Sequence, residues 1–452
     1  MPRSTRGILP ARETVLQWRH KISQTVYFRP TGRHRKGRQT MISSAERQRL
    51  RQLAEKQLEV FHSEKNQRRV QEWMLHNACK GQRPMIHVET DTFESETITP
   101  LLQCQDPVAR RLEADLLRGF YNITEFDDDW VTPDYFGVQW ETWFHPFGHK
   151  VSVETATDLN GNSIGHHFNT IIEDLEDDWD KLGAVDFGVD VKATENYADA
   201  ARECFGDILP VKIIMNSLVA VPTQQVVHLM GMENMCFAMY DYPELLKKMM
   251  DRIADDYLAW FDYLTKGGFL RPTAGFELLN QGSKCFTDQL PADAVTSTRQ
   301  MWGFMDSQET VSISPEMFHE FIFPCYQRIG AAFGRLSYGC CEPVSAVWQD
   351  VRTLENLRKV SVSPWCDEAF MGEQLRGTQI IYHRKPSPNF LGVGQTLDEE
   401  ALRQHFRTTL EAARGCTLEF TQRDVYTIAN DPDKVRRYVA ILREEIANHW
   451  QP

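Results

Sequence analysis

Short apolar runs that end in polar residues recur along the chain, with helical stretches between several of them. The runs are MIHVETD (85–91), WVTPDYF (130–136), PVKIIMN (210–216), GFELLNQ (275–281), MWGFMDSQE (301–309), RLSYGCCEP (335–343), VSVSPWCDE (360–368), IIYHRKPS (380–387) and TLEFTQRD (417–424). Strands that alternate with helices pair in parallel, because a parallel pair needs a long crossover between its members. Nine such runs over about 370 residues suit an α/β fold, a (β/α)8 TIM barrel with one extra pairing. A doubly wound open sheet is the alternative. It places a glycine-rich phosphate turn after its first strand, and MIHVETDTFES has no glycine. A barrel gathers its chemistry at the C-terminal strand ends, where these runs carry their polar residues.

The helical stretches have the matching period. In 41–80, Leu50, Leu53, Ala54, Leu58 and Phe61 fall on one face, which predicts an N-terminal helical extension over 41–84 that caps a barrel of 85–452. YPELLKKMMDRIADDYLAWFDYL places Leu245, Met249, Ile253, Leu258 and Phe261 near helical spacing. SPEMFHEFIFPCYQRIGAAF opens with Ser314 as N-cap and Pro315 as its first helical residue, and DPDKVRRYVAILREEIANHW opens with Asp431 and Pro432 in the same roles.

Charge divides the chain. Residues 1–40 hold ten Lys/Arg against one acid, Glu13, a charge of +9. That leaves −22 on the remainder of a chain whose net charge is −13. The basic head lacks an apolar period and reads as disordered. Met41 then reads as the start of the folded protein, with the head as translated upstream sequence. An acidic body argues against nucleic acid as the main partner. No apolar run reaches the ~20 residues of a membrane span, and no h-region precedes a cleavage site. The ten cysteines are scattered and form no CxxC pair, so the expected setting is reducing cytoplasm, with most thiols as small core residues.

The stretch SYGCCEP sets two thiols and a carboxylate at a strand end. Side chains alternate across a strand. Continued pleating would turn Cys341 to the barrel mouth with Gly339 and leave Cys340 against a helix with Tyr338. A thiolate beside carboxylates or histidine is a zinc site in kind, and buried structural cysteines are the bland alternative. Cys341, Glu342 and His228 are the expected metal ligands. Asp306, Glu309 and Asp129 are the expected acids and bases, each in or beside an apolar run. Arg384 and Lys385 could hold an anionic group, with His383 beside them and Trp302 among several aromatic residues walling a pocket. Cys366, Asp367, Glu419 and Asp424 lie at other strand ends. The spacing matches neither HExxH nor paired CxxC.

Several collinear blocks carry a resemblance. GMENMCFAMYDYPELLKKMMDRI, MWGFMDSQETVSISPEMFHEFIFPCYQRI, YGCCEP and NDPDKVRRYVAILREE together resemble the uroporphyrinogen decarboxylase-like superfamily from about Met41 onward. More narrowly, they resemble its long members that serve as methyltransferase components in anaerobes. The resemblance implies a (β/α)8 barrel and one of two chemistries. Decarboxylases of the family hold a tetrapyrrole with arginines in an early RQAGR-like motif and with an aspartate in an FSDIL-like motif. Here the first run has no arginine, and FDDDWVTPDY matches the second motif only loosely. Corrinoid-linked methyltransferases hold zinc with a His-x-Cys and a later Cys. Cys341 matches the thiolate, Gly339 stands at the histidine, and LEFTQRD replaces the late cysteine.

The expected function is therefore transfer of a methyl group between a small methylated substrate and a corrinoid protein, assisted by zinc. No DxHxxG stretch is present, so the corrinoid would sit on a separate partner. A homodimer is allowed for. Decarboxylation of a porphyrinogen or another carboxylated ring is the alternative, and a ligand-binding barrel without catalysis is a third. The third has no use for Cys, Asp, Glu and His crowded at strand ends, since unpaired buried charge is costly.

Overall fold

The computed structural model describes residues 42–157 and 163–451. The basic head lies outside the described residues. The described residues open with two helices, α1 (Ser44–His62) and α2 (Glu64–Asn77). Ser43 and Glu46 close a reciprocal capping box at the start of α1, which satisfies amide donors that a helix N-terminus leaves open. Ser63 ends α1 and caps α2. Leu50, Leu53, Ala54 and Val60 are buried, and α1 packs on α3 (Pro107–Tyr121).

Seven strands form the central sheet: β1 (Met85–Val88), β2 (Leu218–Ala220), β3 (Trp302–Met305), β4 (Arg335–Tyr338), β5 (Leu357–Val362), β6 (Ile381–Arg384) and β7 (Leu418–Gln422). Every pairing is parallel, in the order β1-β7-β6-β5-β4-β3-β2. The first strand thus lies beside the last, and all C-terminal ends face the same way. The protein is an α/β fold around a parallel sheet.

Strand residues alternate between two environments. Phe420 points out to Phe406 on α4 (Glu399–Ala412), and Phe406 packs on Tyr438 of α5 (Pro432–His449). Its neighbours Glu419 and Thr421 point the other way, into a polar interior. There Glu419 meets Lys359 Nζ at 2.8 Å, His76 Nε2 at 2.9 Å and His383 Nδ1 at 3.3 Å. Lys359 also donates to Ser283 Oγ at 2.7 Å, and His383 Nε2 lies 2.8 Å from Thr421 Oγ1. Each is almost fully buried. Burying these charges is tolerable because each has an opposite charge or hydrogen-bond partner. The opening helices therefore do more than cover the sheet, since α2 sends His76 into its interior.

Three runs depart from the expected strands. Within PVKIIMN, Val211–Ile214 pairs with Phe136–Gln139 away from the central sheet, which takes Leu218–Ala220 instead. GFELLNQ yields only Leu278–Leu279, paired antiparallel with Ser283–Lys284. In WVTPDYF the ladder begins at Phe136, after Pro133, which has no N–H to donate. The helix expected from Ser314 forms with that residue as its cap, but Phe318–Ile322 widens into a π turn. Pro324, two residues past the turn, cannot supply the bond an unbroken α-helix needs there.

Candidate active site

The C-terminal ends of β3, β4, β6 and β7 converge on a buried polar cluster. Gly339 organises it. Its φ is +97°, a conformation that an L side chain adopts only under strain, and its N–H donates to Met305 O at 2.8 Å. The pleat of β4 ends at this residue. Strict alternation beyond Tyr338 is therefore lost, and the sequence expectation for the two thiols needs correcting. Cys340 does not pack outward against a helix. It is buried within the cluster, with its Sγ 3.6 Å from the Sγ of half-buried Cys341.

Cations surround the thiols. Arg423 Nη1 lies 3.7 Å from Cys340 Sγ, and its Nε binds Glu89 at 3.1 Å. Lys385 Nζ donates to Gln281 Oε1 at 2.6 Å and stands 3.4–3.5 Å from the carbonyls of Gly339 and Cys340. Asp424 Oδ2 lies 3.6 Å from Cys341 Sγ on its other side. The hydrogen bond from Cys341, reinforced by Lys385 and Arg423, brings the Cys340 thiol down to about 7. The same contact, with burial, pushes Cys341 well up. One proton shared between two sulfurs behaves in this way.

Asp306 follows β3, and Glu309 stands three residues on. Both are 1% exposed. Thr223 Oγ1 donates to Glu309 Oε2 at 2.9 Å. Glu309 Oε1 and Asp306 Oδ1 are buried with no hydrogen-bond partner. Burial raises both carboxyls, and Cys340 and Glu342 add to it: Asp306 titrates well above the ordinary range and Glu309 at about 7. Buried carboxyls beside other acids keep their protons. This pair is a store of acid at neutral pH.

The remaining predicted residues lie in other settings. Glu342 is buried, but both its oxygens accept backbone N–H groups, from Ser307 at 3.0 Å and Cys340 at 2.7 Å. It ties the end of β3 to the end of β4. His228 stacks on Phe168 with ring centroids 3.6 Å apart, and burial lowers it to about 4. Arg384 donates to Val362 O, Ser363 O and Glu368, outside the cluster. Trp302 opens β3 at the opposite strand end and donates to Cys285 O. His383 belongs to the interior network described above. Asp129 sits beside the start of β1, held by Arg83 at 2.7 Å, Arg443 at 2.9 Å and Ile86 N–H at 2.8 Å. Burial alone would raise its carboxyl, but Arg83 and Arg443 outweigh burial and hold it low.

The expected zinc ligands Cys341, Glu342 and His228 do not converge. Among the described residues no group of three His, Cys, Asp or Glu side chains is placed to hold a metal ion. Each Glu342 oxygen is already held by one backbone amide, and His228 faces an aromatic ring. The residues present do not fit a zinc centre. Arg423 and Gln281 are members of the cluster that sequence reasoning missed. Arg423 follows the strand signal TLEFTQ directly, and its inward direction follows from alternation with Phe420.

No family model matches the chain, and no curated protein matches it. Solved structures do. A methyltransferase from Methanosarcina mazei is similar at 11% identity over 83% of this chain and 98% of that one, with a TM-score of 0.47. A B12-independent methionine synthase from Shewanella sp. W3-18-1, in complex with selenomethionine, is similar at 11% identity over 66% of this chain and 75% of that one, with a TM-score of 0.29.

Proposed function

We propose that this chain is an enzyme of methyl transfer, with its reacting centre at the cluster around Asp306 and Glu309. The observation that carries the reading is the buried acid pair, which has an unpartnered oxygen on each carboxyl. Moving a methyl group off oxygen or nitrogen breaks a C–O or C–N bond and leaves the electron pair on the heteroatom. A protonated acid at that atom turns a poor leaving group into a neutral one. Asp306 is the proton donor in this scheme. Glu309, tied to Thr223 and sharing the cluster, resupplies it.

The acceptor we propose is a corrinoid held by a separate protein, as the sequence resemblance implies. A reduced corrinoid supplies the nucleophile when bound. The exposed Trp365 and Tyr426 follow β5 and β7 at this same end of the sheet and offer apolar surface there. With Glu342 on backbone amides and His228 against Phe168, the mechanism runs without the expected zinc. We further propose that the sheet closes as a (β/α)8 barrel, with 129–132 between β1 and β2. In support, Asp129 N–H donates to Ile86 O at 2.7 Å. The decarboxylase alternative needs free cations for several substrate carboxylates. Arg384 is engaged by Glu368 and two carbonyls, and Arg423 by Glu89.

The test is methyl transfer from methylated amines and aryl methyl ethers to a reduced corrinoid protein, followed by the corrinoid absorbance. Wild type should transfer, and Asp306→Asn should be slower by about 10²–10⁴. Transfer at the wild-type rate by Asp306→Asn would end the proposal.

A further inference from the structure

We propose that Cys340 and Cys341 form a two-sulfur chelate for a trivalent arsenical bearing one organic group, R–As(OH)2. The proposal stands on the dithiol geometry and does not depend on the methyl-transfer reading.

The two Sγ atoms are 3.6 Å apart. With bonds to sulfur of about 2.3 Å, a length zinc also makes, and the roughly 90–100° angles of a pyramidal arsenic(III), one bridging atom holds two sulfurs about 3.3–3.5 Å apart. The pair therefore stands within a few tenths of an ångström of the separation that a single bridging atom requires. A direct disulfide fits this pair less well. It needs sulfurs about 2.0 Å apart on Cα atoms usually about 4.4–6.8 Å apart, whereas neighbours across a trans peptide are only about 3.8 Å apart. Two thiolates, with no third ligand placed to join them among the described residues, suit a centre that already carries an organic group, and soft ligands select soft centres.

The surroundings serve the same chemistry. Arg423 lies against Cys340 Sγ and stabilises sulfur with anionic character. Asp424, 3.6 Å from Cys341 Sγ, is placed to take its proton. Cys341 is half-buried while Cys340 is fully buried, so the ligand would enter on Cys341 and close onto Cys340. Gly339 at φ +97° turns both thiols to one side. The step exchanges groups without oxidation: two S–H and two As–O bonds break, two S–As bonds form, and two waters leave with the two protons.

Phenylarsine oxide is the probe, with intact mass and native thiol titration as readouts. The second bond closes within one molecule, and such closure strengthens binding by about 10²-fold or more over one bond. Wild type should therefore keep one phenylarsenical per chain in excess monothiol, lose two titratable thiols, and release it to a small dithiol. Cys341→Ser should bind about 10²-fold more weakly, and Cys340→Ser likewise. Cys236→Ser, at a half-buried cysteine elsewhere, should bind as wild type. Near-ultraviolet circular dichroism confirms that each variant is folded, and Cys341→Ser alone decides if Cys340→Ser is not. Loss of the arsenical from wild type to monothiol, or undiminished binding by folded Cys341→Ser, would overturn the proposal.

Discussion

Replacing Glu309 with glutamine should make the protein's stability less sensitive to pH, in a window set by one carboxyl. Glu309 titrates at about 7 in the fold against an ordinary value of 4.5. Below 4.5 the group is protonated in both the folded and the unfolded chain, and its contribution is fully present. Between 4.5 and about 7 only the unfolded chain ionises, so folding loses free energy as pH rises. Above about 7 both forms are ionised and the loss levels off. At about 1.4 kcal/mol per pH unit, the total loss is about 3 kcal/mol. Unfolding entropy of about 2.1 cal/mol/K per residue makes this about 3 °C in midpoint for a chain of this length. Glu309→Gln keeps an oxygen for the Thr223 hydroxyl and cannot ionise. Any packing cost of the amide is the same at every pH and drops out of the slope. Midpoints by scanning fluorimetry from about pH 4 to pH 8 should therefore show the variant gaining about 3 °C on wild type across the window. Parallel curves would refute the claim that Glu309 is held protonated, and with it the acid store at the site.

Three other perturbations separate the site from its frame. Asp306→Asn should lower methyl transfer by about 10²–10⁴ while the thermal midpoint stays level or rises, because a buried carboxyl with an unpartnered oxygen is removed. Gly339→Ala should destabilise by about 1–2 kcal/mol through its positive φ alone. A Cβ there would also lie 3.0 Å from side-chain carbons of Ser361 and Val344, and native thiol titration should show the disturbed Cys340–Cys341 pair. Asp129→Ala releases Arg83 and Arg443 from a buried partner and should destabilise by about 3–5 kcal/mol in chemical denaturation. An unchanged midpoint with lost activity would instead return Asp129 to the catalytic set.

The sheet was legible where a run is short, apolar and closed by polar residues. MIHVETD, RLSYGCCEP, IIYHRKPS and TLEFTQRD all contain central strands. PVKIIMN misled because its period is that of any strand, and period cannot say which sheet a strand joins. The brief β2, LVA, carries too little apolar length to signal itself. Asp306 and Glu309 were legible as acids at a strand end, but their unpartnered oxygens were not, since those depend on what burial withholds. Alternation carried past Gly339 sends the two thiols to opposite sides, whereas they share one, because no periodicity reveals the φ of that glycine. In the sequence Asp129 reads as a catalytic acid, because its cage comes from Arg83 and from Arg443, which lies 314 residues further along the chain. Only folding brings those charges together.

The polar interior has a consequence for how such a chain can drift. Glu419 is met by His76 from α2, Lys359 from β5 and His383 from β6. Losing Lys359 or Glu419 strands the other's buried charge at about 3–5 kcal/mol, a large share of the net stability of an ordinary protein. Single-step changes at these positions are therefore penalised, while coordinated replacement by a well-packed apolar set is nearly neutral. Lys359, Glu419 and His76 should vary together or not at all in descendants of this sequence, and a graft of one position from a divergent relative should be tolerated only with its companions.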